Sequence, residues 1–467
     1  GTTLTFTSAP EDDDTIHVRY LGRTLDVSQT AIVQDADQDT KIQVEESADE
    51  DTIRFDIAGA EDFTMTANDF TALSGSTIST NTIAETTSGS GVTIDGLLIK
   101  DGAVNNVAGK NLIQNGAMTV AQRGTSEAAV FGSASGYGAW PDGFRSERAS
   151  GSEGGRATFS QDSSGPAGFA NCFKVLETTT DSSPSAGDYY RLVTRIEAQN
   201  LQHLAYGNAA AKSITLSFYV FCNLTGAFTV TFGQNDTTRM YSTTYTVDST
   251  NTWEKKTITI PGDASGVIND DTGIGLEIGF FLGGGSTWTG GTQGSWAANN
   301  NNMIGAGMTN NVLGSSSGDW RITGLQLEVG SVATDFEHED YGTTLLKCQR
   351  YLRTYSQVSG VNPHVAAGFG YNTTRGWFTI NLNPAMRAAP TISYAGTANQ
   401  LNMFYDAVSA YVATDGSTYL QGANTTSVDF LCDVASGTAL AAQEPLLLFI
   451  IAGSGGTANQ IRITAEL

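Results

Sequence analysis

DWRITGLQLEVGSVATDFEHEDYGTTLLKCQRYLRTY, residues 319–355, changes period in its middle, from the two-residue alternation of a strand to the three-and-four spacing of a helix. Leu325, Leu327 and Val329 share one parity and Trp320 and Ile322 the other, so the apolar side swaps at Gly324, as at a β-bulge or in a strand covered on both faces. This half reads as the last strand of a large β domain. Asp340 can then cap a short helix on which Leu345, Cys348 and Leu352 fall at i, i+3 and i+7, with Lys347, Arg350 and Arg353 toward its negative end. Beyond the helix a second β domain begins.

The rest of the chain fits the same class. At 467 residues it is too long for one ordinary core, so two to four domains are expected. Short Thr- and Val-rich runs between Gly and Asn clusters recur throughout, and helical spacing is convincing only near 340–353, which predicts an all-β protein. Acidic residues outnumber basic ones 48 to 24, a formal charge of −24 that opposes binding to nucleic acid or anionic lipid. Cys172, Cys222, Cys348 and Cys432 lie far apart without a CxxC pair, so each is expected as a small buried apolar residue. The run PLLLFIIA, Pro445–Ala452, is too short to span a bilayer, so no membrane insertion is expected, and the amino end lacks the pattern of a signal peptide.

Residues 1–72 read as a small β module with strands at Leu4–Thr7, Ile16–Tyr20, Lys41–Glu45, Ile53–Ile57 and Phe63–Thr66. Within it, Asp35, Asp37, Asp39 and Glu46 follow the oxygen-ligand spacing of an EF-hand loop, the one hint of a cofactor, a structural Ca²⁺. Thr40 stands where that loop needs Gly, and a solvated hairpin turn is the simpler reading. Residues 73–109 are poor in bulky residues. Ile78, Ile83, Val92 and Ile94 there could be buried only against other copies, as in a β shaft intertwined between subunits; a flexible linker is the alternative.

Residues 110–339 carry eight or more strand candidates and predict a two-sheet jelly roll. Trp253 and Trp320 fall in strand patterns and read as core, whereas Trp288 and Trp296 sit in the loop GGGSTWTGGTQGSWAANNNN. An indole beside amides and hydroxyls offers a sugar a stacking face and rim hydrogen bonds; the alternative is a loop that folds its aromatics back on itself. After the helix at 340–353, residues 354–467 alternate again and predict a compact β-sandwich with a hairpin turn at Asp415-Gly416. Its Trp377, Tyr405, Tyr411 and Tyr419, with Tyr371, are rings of the kind enriched on recognition surfaces, or half-buried sheet residues.

Catalytic chemistry is hard to find. None of the four histidines has a metal-ligand or nucleophile spacing, and no GxSxG elbow, P-loop or dinucleotide fingerprint is present. Glycoside hydrolysis needs only two carboxylates, and their abundance here is no evidence for it. The expectation is a protein that is not an enzyme.

Several stretches resemble tail fibre proteins of tailed bacteriophages. KNLIQNGAMTVAQRG, Lys110–Gly124, resembles the motif that opens a carbohydrate-binding-module-like jelly roll in those fibres, and ITGLQLEVGSVATDFEHEDYGTTLLKCQRY, Ile322–Tyr351, the motif that closes it. Ile78–Gly102 is similar to the shaft-like segment that precedes it, and Asp35–Asp56 to modules of marine phage structural proteins. The resemblance implies an elongated homotrimeric virion appendage, made in the host cytoplasm, that joins other tail or baseplate proteins and attaches to a host surface glycan. A head or neck fibre without receptor specificity and a polysaccharide depolymerase are the alternatives. In a trimer the stripe Leu345, Cys348 and Leu352 has a second use, as one of three helices meeting on the axis; packing against its own chain is the other.

Overall fold

The computed structural model describes residues 32–44, 51–80, 83, 92–94, 97–100, 103–104, 109–130, 135–148, 154–356, 362–395, 401–405, 410–435, 440–450 and 459–467. The expected strands Leu4–Thr7 and Ile16–Tyr20, the ligand Glu46, and the side chains of Val92, Ile94, Tyr405 and Tyr411 lie outside what is described. The described chain is nearly all β, arranged in several antiparallel sheets, and divides into two compact units, 1–84 and 85–467.

The first unit contains a five-stranded antiparallel meander through Ile32–Gln34, Lys41–Gln43, Ile53–Ile57, Ala60–Met65 and Phe70–Ala72. Its register puts Val33, Ile42, Phe55, Phe63 and Ala72 in one row, with Ile53, Met65 and Phe70 in another on the same face. The opposite face carries the ion pairs Lys41–Asp56 (3.1 Å) and Arg54–Glu61 (2.8 Å). The burial is inverted: Gln43 and Asp56 on the polar face are buried, while Val33 is 69% and Phe70 51% exposed. Among the described residues this unit has no buried hydrophobic side chain.

In the second unit, the short strands Val92–Ile94, Leu97–Lys100 and Ala103–Val104 pair with one another within the chain. The jelly roll follows as two six-stranded sheets. One runs Phe144–Arg148, Tyr189–Glu197, Ile274–Gly284, Gly226–Gln234, Arg239–Val247, Ala297–Ala298; the other runs Glu254–Ile260, Ile214–Cys222, Asp319–Val329, Cys172–Thr179, Arg156–Asp162, Ser126–Val130. Phe144 meets Phe173, Phe218 meets Tyr245 and Phe280 meets Trp320 across the shared core. Cys222 belongs to it, while Cys172 is buried on the other side of its strand beside Ser164, and both are free thiols. Trp253 corrects its expectation: it precedes its strand and lies half-buried against Phe221, its Nε1 donating to Ser164 O at 3.2 Å.

The parity swap in the closing strand Asp319–Val329 is real. Gly324 has φ +63°, and the register against Ile214–Cys222 slips there, Ser217 pairing with Gln326 but Tyr219 with Thr323. The extra residue lets Trp320 and Ile322 on one side of the bulge, and Leu325 and Leu327 on the other, reach the same core at zero exposure. The opening segment seats on this bulge. Asn111 donates Nδ2 to Leu325 O (3.0 Å) and accepts from Leu327 N (3.1 Å), and Leu325 N donates to Gly116 O (3.0 Å). A Cβ on Gly116 would stand 2.1 Å from Leu325 O, so glycine alone permits the approach.

The helix Tyr341–Gln349 is capped by Asp340, whose Oδ1 accepts from Thr343 N at 3.0 Å. It ends before Leu352, which opens the strand Leu352–Ser356. Six strands, His364–Asn372, Arg375–Asn381, Ser427–Val434, Ala410–Asn424, Leu401–Tyr405 and Pro445–Ile450, then close on themselves, and Leu352–Ser356, Gln460–Thr464 and Thr391–Ala395 form a small sheet sharing their core. The sandwich expected in 354–467 is thus corrected in topology to a closed barrel beside a small sheet, an arrangement that removes the barrel's open edges. Asp415-Gly416 is no hairpin turn. The strand continues through it, and the extra residues are absorbed as an irregularity between Thr414 and Thr418.

Candidate functional site

The outer wall of the barrel carries the most distinctive constellation. Alternation along Arg375–Asn381 sends Phe378 and Ile380 into the core and Trp377 outward; Ala366 faces in and Phe369 and Tyr371 face out on the neighbouring strand. The register sets Phe369 beside Trp377, Trp377 beside Leu431, and Leu431 beside Tyr419, one row across four strands. Phe369 and Trp377 are near-parallel, 9° between planes with centroids 6.2 Å apart, and Tyr371 lies 5.7 Å from Trp377. Phe369, Tyr371 and Tyr419 are 43%, 51% and 42% exposed.

Polar groups rim this row. Arg375 donates Nε to Asp433 Oδ1 at 2.7 Å and lies over the Tyr419 ring at 5.2 Å. On the other side Thr379 donates to Asp429 Oδ1 at 2.6 Å. The wall therefore carries a cluster of aromatic rings at least partly open to solvent and bordered by hydrogen-bonding side chains, the two components a pyranose needs. It gathers Trp377 and Tyr419 from the sequence candidates and adds Phe369, whose Ala- and Gly-rich strand hides its alternation. Tyr405 and Tyr411 lie on neighbouring strands of the same barrel.

The loop tryptophans are placed otherwise. Trp288 donates Nε1 to Gly187 O at 2.9 Å and packs 4.4 Å from Tyr189, while Met303 and Ile304 of the same loop are buried against Met240 and Phe281. Trp296 donates to Pro261 O at 2.7 Å between Tyr206 and Tyr241. Both indoles are half-buried with their N–H groups engaged, the arrangement of a loop folded back on its sheet.

The axial stripe is corrected as well. Cys348 and Leu352 are each 1% exposed within the single chain, so neither can meet a partner's helix, and Leu345 is half-buried. Tyr341 and Leu346 are the large hydrophobic residues this helix exposes, at 59% and 53%. Ile78 and Ile83 are exposed, at 53% and 61%. Asp35, Asp37 and Asp39 bring carboxylate oxygens within 4.8 Å of one another, all exposed, in a turn closed by Asp35 N to Thr40 O and by Thr40 N to Asp35 Oδ1. The hairpin reading accounts for the two turn hydrogen bonds, and the three carboxylates stand close enough together to hold a cation.

The barrel is held to the jelly roll by a polar joint. Arg123 makes a bidentate contact with Glu466 (2.8 and 2.6 Å), Gln122 donates to Asp142 Oδ2 and Leu352 O, and Arg387 donates to Thr272 O at 2.6 Å. Arg350 grips the fully buried Glu197 through Nε and Nη2 at 2.7 and 2.9 Å. Burial would raise the Glu197 carboxyl, but hydrogen bonds from Arg350 and Tyr351 hold it below the usual carboxylate range. Burial pushes Asp142 and Glu466 upward, in each case against a favourable partner, Gln122 and Arg123. A raised carboxyl can mark a catalytic acid, yet these two are locked in the joint rather than placed on the aromatic wall.

No protein-family model matches the chain, and no curated protein matches it. Among solved structures it is similar to the enzymatically active domain of bacteriophage CBA120 tailspike protein 4, at 12% identity and a TM-score of 0.24 over 47% of this chain and 21% of that one. A family 11 carbohydrate-binding module from Clostridium thermocellum, in complex with a β-1,3-1,4-mixed-linked tetrasaccharide, aligns at 13% identity and a TM-score of 0.22, over 42% of this chain and 91% of the module. The tandem CBM22 domain of Paenibacillus barcinonensis Xyn10C aligns at 9% and 0.22, over 77% and 100%. Likenesses this distant decide nothing about the chain, whose properties rest on its own residues.

Proposed function

We propose that this chain is a tail fibre of a bacteriophage particle, assembled as a homotrimer with other tail or baseplate proteins, that attaches noncatalytically to a host surface polysaccharide. The observation that carries glycan binding is the row of rings Phe369, Trp377 and Tyr419 with its polar rim on the barrel wall, Phe369 and Tyr419 exposed, Trp377 half-exposed and Leu431 buried between them. The virion setting is supported by the resemblance of Lys110–Gly124 and Ile322–Tyr351 to fibre motifs, two segments that the fold brings into direct contact. Self-association is supported by the uncovered apolar face of the amino-terminal meander. In a chain of charge −24 this face lets like-charged copies meet without opposing charges.

Incubating the purified chain with host envelope polysaccharide tests the reading. Retention without shortening of the glycan is expected; shortened chains would make the protein a depolymerase, and absence of retention would make it a structural fibre. Trp377→Ala and Phe369→Ala should each weaken retention about tenfold, whereas Trp288→Ala and Trp296→Ala should change it little. The reverse pattern would move the site to the jelly roll.

A further inference from the structure

A cleft of about 230 Å³ opens between the jelly roll and the linking helix, away from the aromatic wall. Leu112 and Ile196 give it apolar walls, and Gln114 and Asn200 line it with carboxamides that have no hydrogen-bond partner among the described residues. Lys347 and Arg350 enter from the helix side beside Arg195, and among the described residues no Asp or Glu lines it, in a chain where acids outnumber bases 48 to 24. The cations are anchored from behind: Arg350 spends Nε and Nη2 on Glu197, and Lys347 pairs with Glu339. Arg350, which also meets the Tyr351 hydroxyl, and Lys347, with two further ammonium protons, have more N–H donors than these pairs use.

We infer that this cleft binds a single carboxylated sugar ring, with its apolar face on Leu112 and Ile196, its hydroxyls on the two carboxamides and its carboxylate at Lys347 and Arg350. The volume is below the range of about 300–1,000 Å³ typical of pockets for drug-sized ligands, which suits one ring rather than an oligosaccharide. The anchored cations offer donors whose positions are set before the ligand arrives. The same ring can come as a free acid sugar or as the terminal residue of an acidic polysaccharide.

Calorimetric titration of the full chain with glucuronate, glucose, acetate and a short glucuronate-terminated oligosaccharide tests this. Glucuronate should bind at least about tenfold more tightly than glucose or acetate, because a lost charge-assisted contact alone is worth about that factor. Lys347→Gln should weaken glucuronate about tenfold and Asn200→Ala severalfold, both with unchanged melting temperature. Tighter binding of the oligosaccharide than of free glucuronate would identify the polymer end as the source, and the opposite order the free sugar. Equal affinity for glucose, equal affinity for acetate, or indifference to both substitutions would overturn the assignment.

Discussion

Arg123 and Glu466 meet where water scarcely reaches, with Arg123 8% exposed, and the pair ties the last residues of the barrel domain to the opening segment of the jelly roll. Burial lifts the Glu466 carboxyl above its ordinary value although Arg123 pulls the other way. The folded chain therefore binds this proton more tightly than the unfolded chain does. The group's contribution is most favourable below the ordinary carboxylate value and declines as pH rises through the raised one. Arg123→Met should cost about 3–5 kcal/mol near neutral pH by leaving a buried carboxylate unpaired, and the cost should shrink as pH falls toward 5 and Glu466 takes up its proton. Urea unfolding of both proteins at the two pH values checks this; a cost independent of pH would mean that Glu466 is not the group responsible. Nothing in the spacing of Arg123 and Glu466 announces their pairing, because a contact 343 positions apart leaves no local pattern. The loop tryptophans were ambiguous for a related reason: residue type marks an indole as able to stack, but only the fold decides whether its N–H is already spent on a carbonyl.

The closing strand was legible where its signal is local. The parity change at Gly324 is written in which residues are apolar, and the structure turns it into a bulge with positive φ. A Cβ on Gly324 would lie 2.7 Å from Phe169 Cζ and 3.0 Å from Tyr219 Cδ2. Gly324→Ala should therefore destabilise by about 1–2 kcal/mol for the left-handed backbone plus about 1–3 kcal/mol for overpacking. Gly290→Ala, with nothing within 4 Å of its Cβ, should fall within about 0.5 kcal/mol of the parent. Chemical denaturation midpoints check both, and equal shifts would refute the steric account. Other elements were less visible. Arg239–Val247 buries Tyr241, Tyr245 and Val247 at period two, a signal thinned by the threonines between them. His364–Asn372, rich in Ala and Gly, lacks bulky residues on its inward side because Phe378 and Leu446, which pair with Gly368 from the two flanking strands, fill the barrel interior there. The helix was read from its Asp340 cap and its spacing, but the stripe ran too far, since Leu352 already belongs to the next strand.

At the scale of the whole molecule, the all-β class followed from composition and alternation, whereas the closure of the barrel did not, because which strands pair is a long-range choice. The amino-terminal meander poses the sharpest question of assembly. Its apolar face presents Val33, Ile42, Ile53, Met65 and Phe70 to solvent beside the half-buried Phe55 and Phe63, with Phe63 and Phe70 stacked at 5.6 Å, and its ion pairs occupy the other side. A contiguous apolar surface of this kind is rare on monomers. If copies of the chain cover it, one charge placed at its most open position should break the contact without disturbing the subunit. Val33, 69% exposed, and Ile42, 43% exposed, are suited to this because neither supports an internal core. If the proposed trimer forms through this face, Val33→Lys with Ile42→Lys should convert its mass to that of single chains in mass photometry, with an unchanged far-ultraviolet dichroism spectrum. A trimer that survives the double substitution would remove the meander from the subunit interface and return that role to surfaces such as Ile78, Ile83 and the exposed Tyr341 and Leu346.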